Sequence, residues 1–255
     1  MKRVGSLIHS VPLKITSAID SLRNVLKFAL VDGGVYTDTG WEFLEDGNIL
    51  HLVNNAGAVC RVVEYDTYAT IQGLNHLGDA NKLHLGFPSV HKNILNVFKN
   101  SAGVYEWEVF FEKDFFYLQT GGSLYFFGTL KNTAYAEINM LVAKQVSTDK
   151  FFRTSTEQPF KVAYSNISAT ESVWGAELNL VPEFLPVPLN WQQPDGTIVL
   201  YPVAVVDFLQ KSKMGNLPGI WVLENACPYE ALLSTGSGTN LLIMKKENQT
   251  IAFEV

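Results

Sequence analysis

Charge is scarce in this sequence. Asp, Glu, Lys and Arg make up 17% of its 255 residues, against about 25% in an ordinary soluble domain. A surface so poorly charged either faces other subunits or is a broad neutral face of Ser, Thr and Asn, and composition leaves both open. Only four arginines occur, Arg3, Arg23, Arg61 and Arg153, and they are scattered; the one lysine pair is Lys245-Lys246. With a net charge of −6, the chain lacks the clustered cations that phosphate contacts need, so no nucleic-acid partner is expected. No apolar run reaches the ~18 residues of a membrane span, so membrane insertion is not expected. The basic start Met1-Lys2-Arg3 has no sustained apolar stretch behind it, and no signal peptide is expected.

Cysteine is scarce too. Cys60 and Cys227 share no ligand spacing with each other or with a histidine. Two cysteines make no disulfide framework. Cys60 lies in an apolar strand pattern and is expected as a buried free thiol, with a long-range disulfide as the lesser alternative.

Catalytic signatures are missing as well, so no catalytic residue, cofactor site or metal site is assigned. His76, Asp79 and His84 fit no zinc spacing and lie in a polar, loop-like stretch; solvated loop histidines are the expectation. His51 is expected as a half-buried sheet residue. Ser234-Thr235-Gly236-Ser237-Gly238-Thr239 has neither the frame of a nucleophile elbow nor the lysine of a phosphate loop, and reads as a loop tip. Glu106/Glu108 and Glu42/Glu45/Asp46 could supply paired carboxylates. The first pair shares one side of a strand, where a solvent-facing sheet face accounts for it. The triplets Asn166-Ile167-Ser168 and Asn248-Gln249-Thr250 match a glycosylation acceptor, which has no meaning without secretion.

What is present is apolar and aromatic, 47% and 12% of residues, enough for a substantial core and incompatible with disorder. Ile19, Leu22, Val25, Leu26, Ala29 and Leu30 recur at steps of three and four, predicting one amphipathic helix over Thr16–Leu30. Ser17 with Asp20 offers an N-terminal capping box, and Gly33-Gly34 a stop. Strands follow. Trp41–Leu44 and Ile49–Val53 flank Asp46-Gly47, a hairpin dipeptide. Cys60 to Ile71 is rich in Val, Tyr and Thr. Tyr105–Phe111, Phe115–Leu118 and Leu124–Phe127 form an aromatic meander, read as sandwich core in preference to a platform for sugars or bases. Further strands are expected at Ile138–Val142, Thr197–Val206, Gly219–Val222, Leu241–Met244 and Ile251–Val255, with Lys245-Lys246-Glu247-Asn248 as a hairpin loop. Val181 to Pro194 holds Pro182, Pro186, Pro188, Pro194 and Trp191, and is expected as an extended arm.

The expected fold is therefore mainly β: antiparallel, sandwich-like lobes with one N-terminal amphipathic helix. Residues 1–100 would hold the helix and a β lobe, and 101–255 a second β lobe with the arm at 181–194. The boundary at Asn100-Ser101-Ala102-Gly103 rests on turn chemistry alone, with a single domain as the alternative.

The order of segments resembles a family of virion structural proteins of tailed bacteriophages. Ser10-Val11-Pro12-Leu13 ahead of the helix Ser21–Gly33 is similar to that family's start, as is Arg61–Leu74 to its next strand. Trp107 with Asp114-Phe115-Phe116-Tyr117-Leu118, then Phe126-Phe127-Gly128, resembles its tryptophan strand and Phe-Gly element; Leu217-Pro218-Gly219-Ile220-Trp221 resembles the element before its C-terminal hairpin. The chain departs from the family at Ala29, where a cysteine stands, and at Thr129, where an Asp stands. The resemblance implies a tail, baseplate or head–tail collar subunit, located in a virion assembled in the host cytoplasm. Its partners would be other virion proteins and symmetry-related copies of itself. No catalytic residue is implied. A carbohydrate- or receptor-binding module of a tail or fibre is the alternative.

Overall fold

A computed structural model describes residues 1–5, 21–31, 38–74, 94–120, 123–131, 140–145, 160–165, 178–182, 200–207, 213–223, 232–246 and 249–255. The fold is mainly β, sandwich-like and antiparallel, with one helix among the described residues.

The chain opens with β1 (Lys2–Gly5), then α1 (Leu22–Leu30). The helix buries Leu22, Val25, Leu26, Ala29 and Leu30, the stripe its periodicity marks out. Its start differs from expectation. The N-cap is Ser21, extended, with its hydroxyl accepting from Asn24 N at 3.4 Å, in place of the expected Ser17, which lies outside the described residues. A distant carboxylate explains the shift: Glu64 Oε2 accepts from Leu22 N at 2.8 Å and Arg23 N at 3.3 Å. That carboxylate satisfies donors that every helix start leaves open and sits at the positive end of the helix dipole. Asp20 and Gly33-Gly34 lie outside the described residues.

The first sheet runs β2 (Glu42–Asp46), β3 (Ile49–Val53), β4 (Val59–Glu64), β5 (Tyr68–Leu74) and β6 (Ile94–Phe98), in sequence order. Asp46 pairs with Ile49, leaving a two-residue turn in which Gly47 has φ +58°, a left-handed value natural to glycine. Leu50, Leu52, Cys60, Val62, Ala69, Ile71 and Val97 point inward and join the helix in the main core.

The second sheet is β7 (Trp107–Glu112), β8 (Phe115–Thr120), β9 (Ser123–Gly128), β10 (Met140–Gln145) and β11 (Phe160–Ser165), with β1 paired outside β7. Trp107, Val109, Phe111, Phe116, Leu118, Tyr125 and Phe127 face the helix and first sheet. The alternate residues meet a third sheet: Phe110 stacks on Phe253 at 4.2 Å, and the Tyr117 hydroxyl donates to Pro218 O at 2.8 Å. Near-continuous aromatic runs are what burial on both faces demands. The expected solvent face is therefore corrected: Glu106 is exposed, but Glu108 is fully buried.

The third sheet comprises β12 (Leu178–Pro182), β13 (Leu200–Asp207), β14 (Lys213–Leu223), β15 (Leu232–Ser234), β16 (Asn240–Lys246) and β17 (Gln249–Glu254), ordered β12-β13-β14-β17-β16-β15. Val181 and Pro182, the start of the proline-rich stretch, close the edge strand β12, where a missing N–H is tolerated; residues 183–194 lie outside the described residues. Pro202 sits in the interior strand β13 where the register shifts between Pro202 and Ala204. Lys245 and Lys246 belong to β16, pairing with Thr250 and Gln249, and not to the loop.

The order is thus first sheet with helix, second sheet, third sheet. The main core draws residues from Leu22 to Phe127, on both sides of residue 100, and β1 pairs with β7 across it. Trp41 seals one end, its indole donating to Glu112 O at 2.8 Å and its ring against Phe116 and Phe127.

Candidate functional site

The polar groups that could carry chemistry fall into separate places. Glu108 meets Arg3: Nε and Nη2 of the guanidinium both approach its Oε1, inside the sheet-to-sheet interface. Arg3 also lies over the Phe110 ring, 5.4 Å from its centroid. This pair joins β1 to β7, with both side chains buried.

Glu64 forms a second cluster. Besides the helix N–H groups, its Oε1 accepts from the Tyr105 hydroxyl at 3.2 Å and lies 3.7 Å from Lys99 Nζ. Burial first, then the Glu64 charge, raises the Tyr105 phenol above its ordinary range. One carboxylate so ties α1 to β4 and to the segment before β7.

His51 lies on the outer face of β3 opposite Arg61 and is buried. Among the described residues neither ring nitrogen has a hydrogen-bond partner. Burial, reinforced by Arg61 and opposed by Asp46, lowers its pKa and favours the neutral ring. Cys60 is a buried free thiol, its pKa pushed far up by burial alone.

The Ser234–Thr239 string forms the β15–β16 hairpin, as a loop-tip reading requires. Thr235 N donates to Thr239 O, and the Thr235 hydroxyl lies 2.8 Å from that of Ser237 and accepts from Thr239 N at 3.1 Å. These hydroxyls satisfy the turn. His76, Asp79 and His84 lie outside the described residues, as do Asn166-Ile167-Ser168, Trp191 and Cys227. Among the described residues no three His, Cys, Asp or Glu side chains group to hold a metal, and no helix is long and apolar enough to cross a membrane.

Two surface features remain. The edge strand β2 exposes all five side chains, Phe43 and Leu44 between Glu42 and Glu45-Asp46. Lys27 of the helix pairs with Glu45 at 2.7 Å and lies 4.4 Å from the Phe43 ring centroid. At the other side of the sheet, Tyr65 stacks on Tyr68 at 4.7 Å and Tyr68 meets Phe98 at 5.8 Å. Tyr65 is 43% exposed and Phe98 56%. The aromatic meander is no platform; its described rings form the core. Sequence reasoning missed Arg3 and Glu64, whose partners are remote in the chain, and the edge position of β2. An apolar doublet bracketed by acids, where a half-buried strand should alternate, is the signal for that edge.

Models of known protein families do not match this sequence, and no curated protein is significantly similar to it.

Proposed function

We propose that the chain is a structural subunit of a tailed-phage virion, part of the tail, baseplate or head–tail collar. It assembles through β-rich interfaces and extended arms with other virion proteins and with copies of itself. The observation that carries this reading is how the ionisable groups inside the molecule are used. Arg3–Glu108 locks β1 to β7 within the second sheet, and Glu64 ties the helix and the first sheet to the segment that enters the second. Such a layered β framework, low in charge, suits a part that transmits load between neighbours. The order of segments that resembles phage virion proteins supports the same reading.

Antibody against the recombinant chain, applied to gradient-purified particles of the phage that encodes it, tests this directly. Labelling at one position along the particle is expected. A chain that stays in the supernatant when particles are pelleted overturns the reading. A carbohydrate- or receptor-binding module is the second reading, favoured by the exposed Tyr65 and Phe98 rings on either side of the half-buried Tyr68. It predicts that Tyr65→Ala weakens binding of the chain to host polysaccharide; absence of such binding removes it.

A further inference from the structure

The first sheet ends in a strand with an open side. In the β2–β3 ladder Asp46 pairs with Ile49 across a two-residue turn, Leu44 with His51, and Glu42 with Val53. Residues flanking such a turn exchange both backbone hydrogen bonds, and the pattern alternates along an antiparallel ladder. The N–H and C=O groups of Phe43 and Glu45 therefore point away from β3, and among the described residues no strand pairs with them. Side chains alternate too. Glu42, Leu44 and Asp46 share the outer face of the sheet, and Phe43 and Glu45 lie on the helix side, where Lys27 already balances Glu45.

Charged edges commonly serve only to repel stray strands. This edge carries more than repulsion, because Phe43 is 43% exposed and Leu44 54%. A purely defensive edge has no use for an exposed Phe-Leu doublet. The charge pattern also selects the occupant. In two-fold pairing of β2 with a second copy centred on Leu44, Glu42 would stand opposite Asp46, like charge against like. A strand with a cation, an apolar residue and a cation at alternate positions complements Glu42, Leu44 and Asp46, with apolar residues between to meet Phe43 and the Lys27–Glu45 pair.

We propose that β2 is a docking edge that takes up an extended basic–apolar–basic peptide segment as an added antiparallel strand. This does not depend on the virion reading and would hold whatever assembly contains the chain.

The probe is a labelled peptide Lys-Val-Leu-Val-Lys with short Gly-Ser flanks, titrated into the intact chain and followed by fluorescence anisotropy. Saturable binding that weakens with added salt is expected. A Glu-Val-Leu-Val-Glu peptide should bind at least about tenfold more weakly. The surface double variant E42K/D46K should invert that preference. N-methylation of the two valines, whose amides face Phe43 and Glu45, should abolish binding; N-methylation of the leucine, whose amide points outward, should leave it intact. No binding of the basic peptide, equal binding of the acidic one, or indifference to the methylated position overturns the docking edge. So does sedimentation showing a dimer of the chain that E42K/D46K changes, since β2 would then belong to a second copy.

Discussion

Removing the Glu108 charge should cost this protein more stability than any other single charge removal among its described residues. The Glu108 side chain is 0% exposed and Arg3 5%, and Arg3 stands opposite Phe110 in the β1–β7 ladder, on the face covered by Phe253. Glu108→Gln keeps the shape and removes the Glu108 charge from a buried guanidinium. Breaking a buried pair from one side costs about 3–5 kcal/mol, a large share of the roughly 5–15 kcal/mol by which domains are stable. Arg3→Met should cost a similar amount, since it takes the guanidinium from the buried carboxylate and removes the cation over the Phe110 ring. Replacing both, as Arg3→Met with Glu108→Leu, removes both charges of the pair and should return to within about 1 kcal/mol of the parent, or exceed it. Guanidinium chloride unfolding of the parent, both single variants and the double variant closes the cycle. Amide exchange in β1 and β7 should accelerate in the single variants only. A Glu108→Gln cost below about 1 kcal/mol, or singles that simply add in the double variant, would mean water reaches the pair and would refute the three-layer burial.

Glu64→Ala should cost about 1–3 kcal/mol in the same assay, because it strips the helix N-terminus and the Tyr105 hydroxyl of a charged acceptor together; Ser21→Ala, whose cap bond is long at 3.4 Å, should cost much less. Gly128 has φ +145°, and a Cβ there would collide with the Phe115 backbone and lie 2.6 Å from Asp114 O, so Gly128→Ala should lower the melting temperature severely, whereas Gly47→Ala, in open space at φ +58°, should cost about 1 kcal/mol. His51 holds its proton less tightly folded than unfolded. Stability is therefore undiminished above an unfolded pKa of about 6.5 and falls below it by up to about 1.4 kcal/mol per pH unit until the depressed folded pKa is reached; His51→Leu should flatten that part of the pH profile. In a Cys227→Ser variant, Cys60 should resist a thiol reagent until the chain unfolds, because burial keeps the thiolate from forming.

Local periodicity made the helix legible: Leu22, Val25, Leu26, Ala29 and Leu30 are all buried. It could not locate the helix start, since the acceptor that favours Ser21 over the expected Ser17, Glu64, stands 43 residues from Ser21. The meander strands were legible from their aromatic content. Whether Glu108 meets water or another layer depends on Arg3, 105 residues away, and on Phe253. β1 escaped notice for the same reason: Lys2-Arg3 reads as a polar start until β7 supplies its partner. Likewise β6, with Asn96 at its centre, becomes a strand only by lying against β5.

The edge of the first sheet follows the same logic in reverse. Composition marks Glu42-Phe43-Leu44-Glu45-Asp46 as strand through the turn at Gly47, yet an inner strand and an edge strand can share that turn. What separates them is the lack of alternation. A strand covered on one face buries every second residue, and β2 buries none of its five. Among the described residues, nothing covers the doublet Phe43-Leu44. An added strand along it would remove that apolar surface from water, and the acids on either side would specify that strand's charge. A basic peptide that ignores this edge would show that Glu42, Glu45 and Asp46 do no more than keep other strands away.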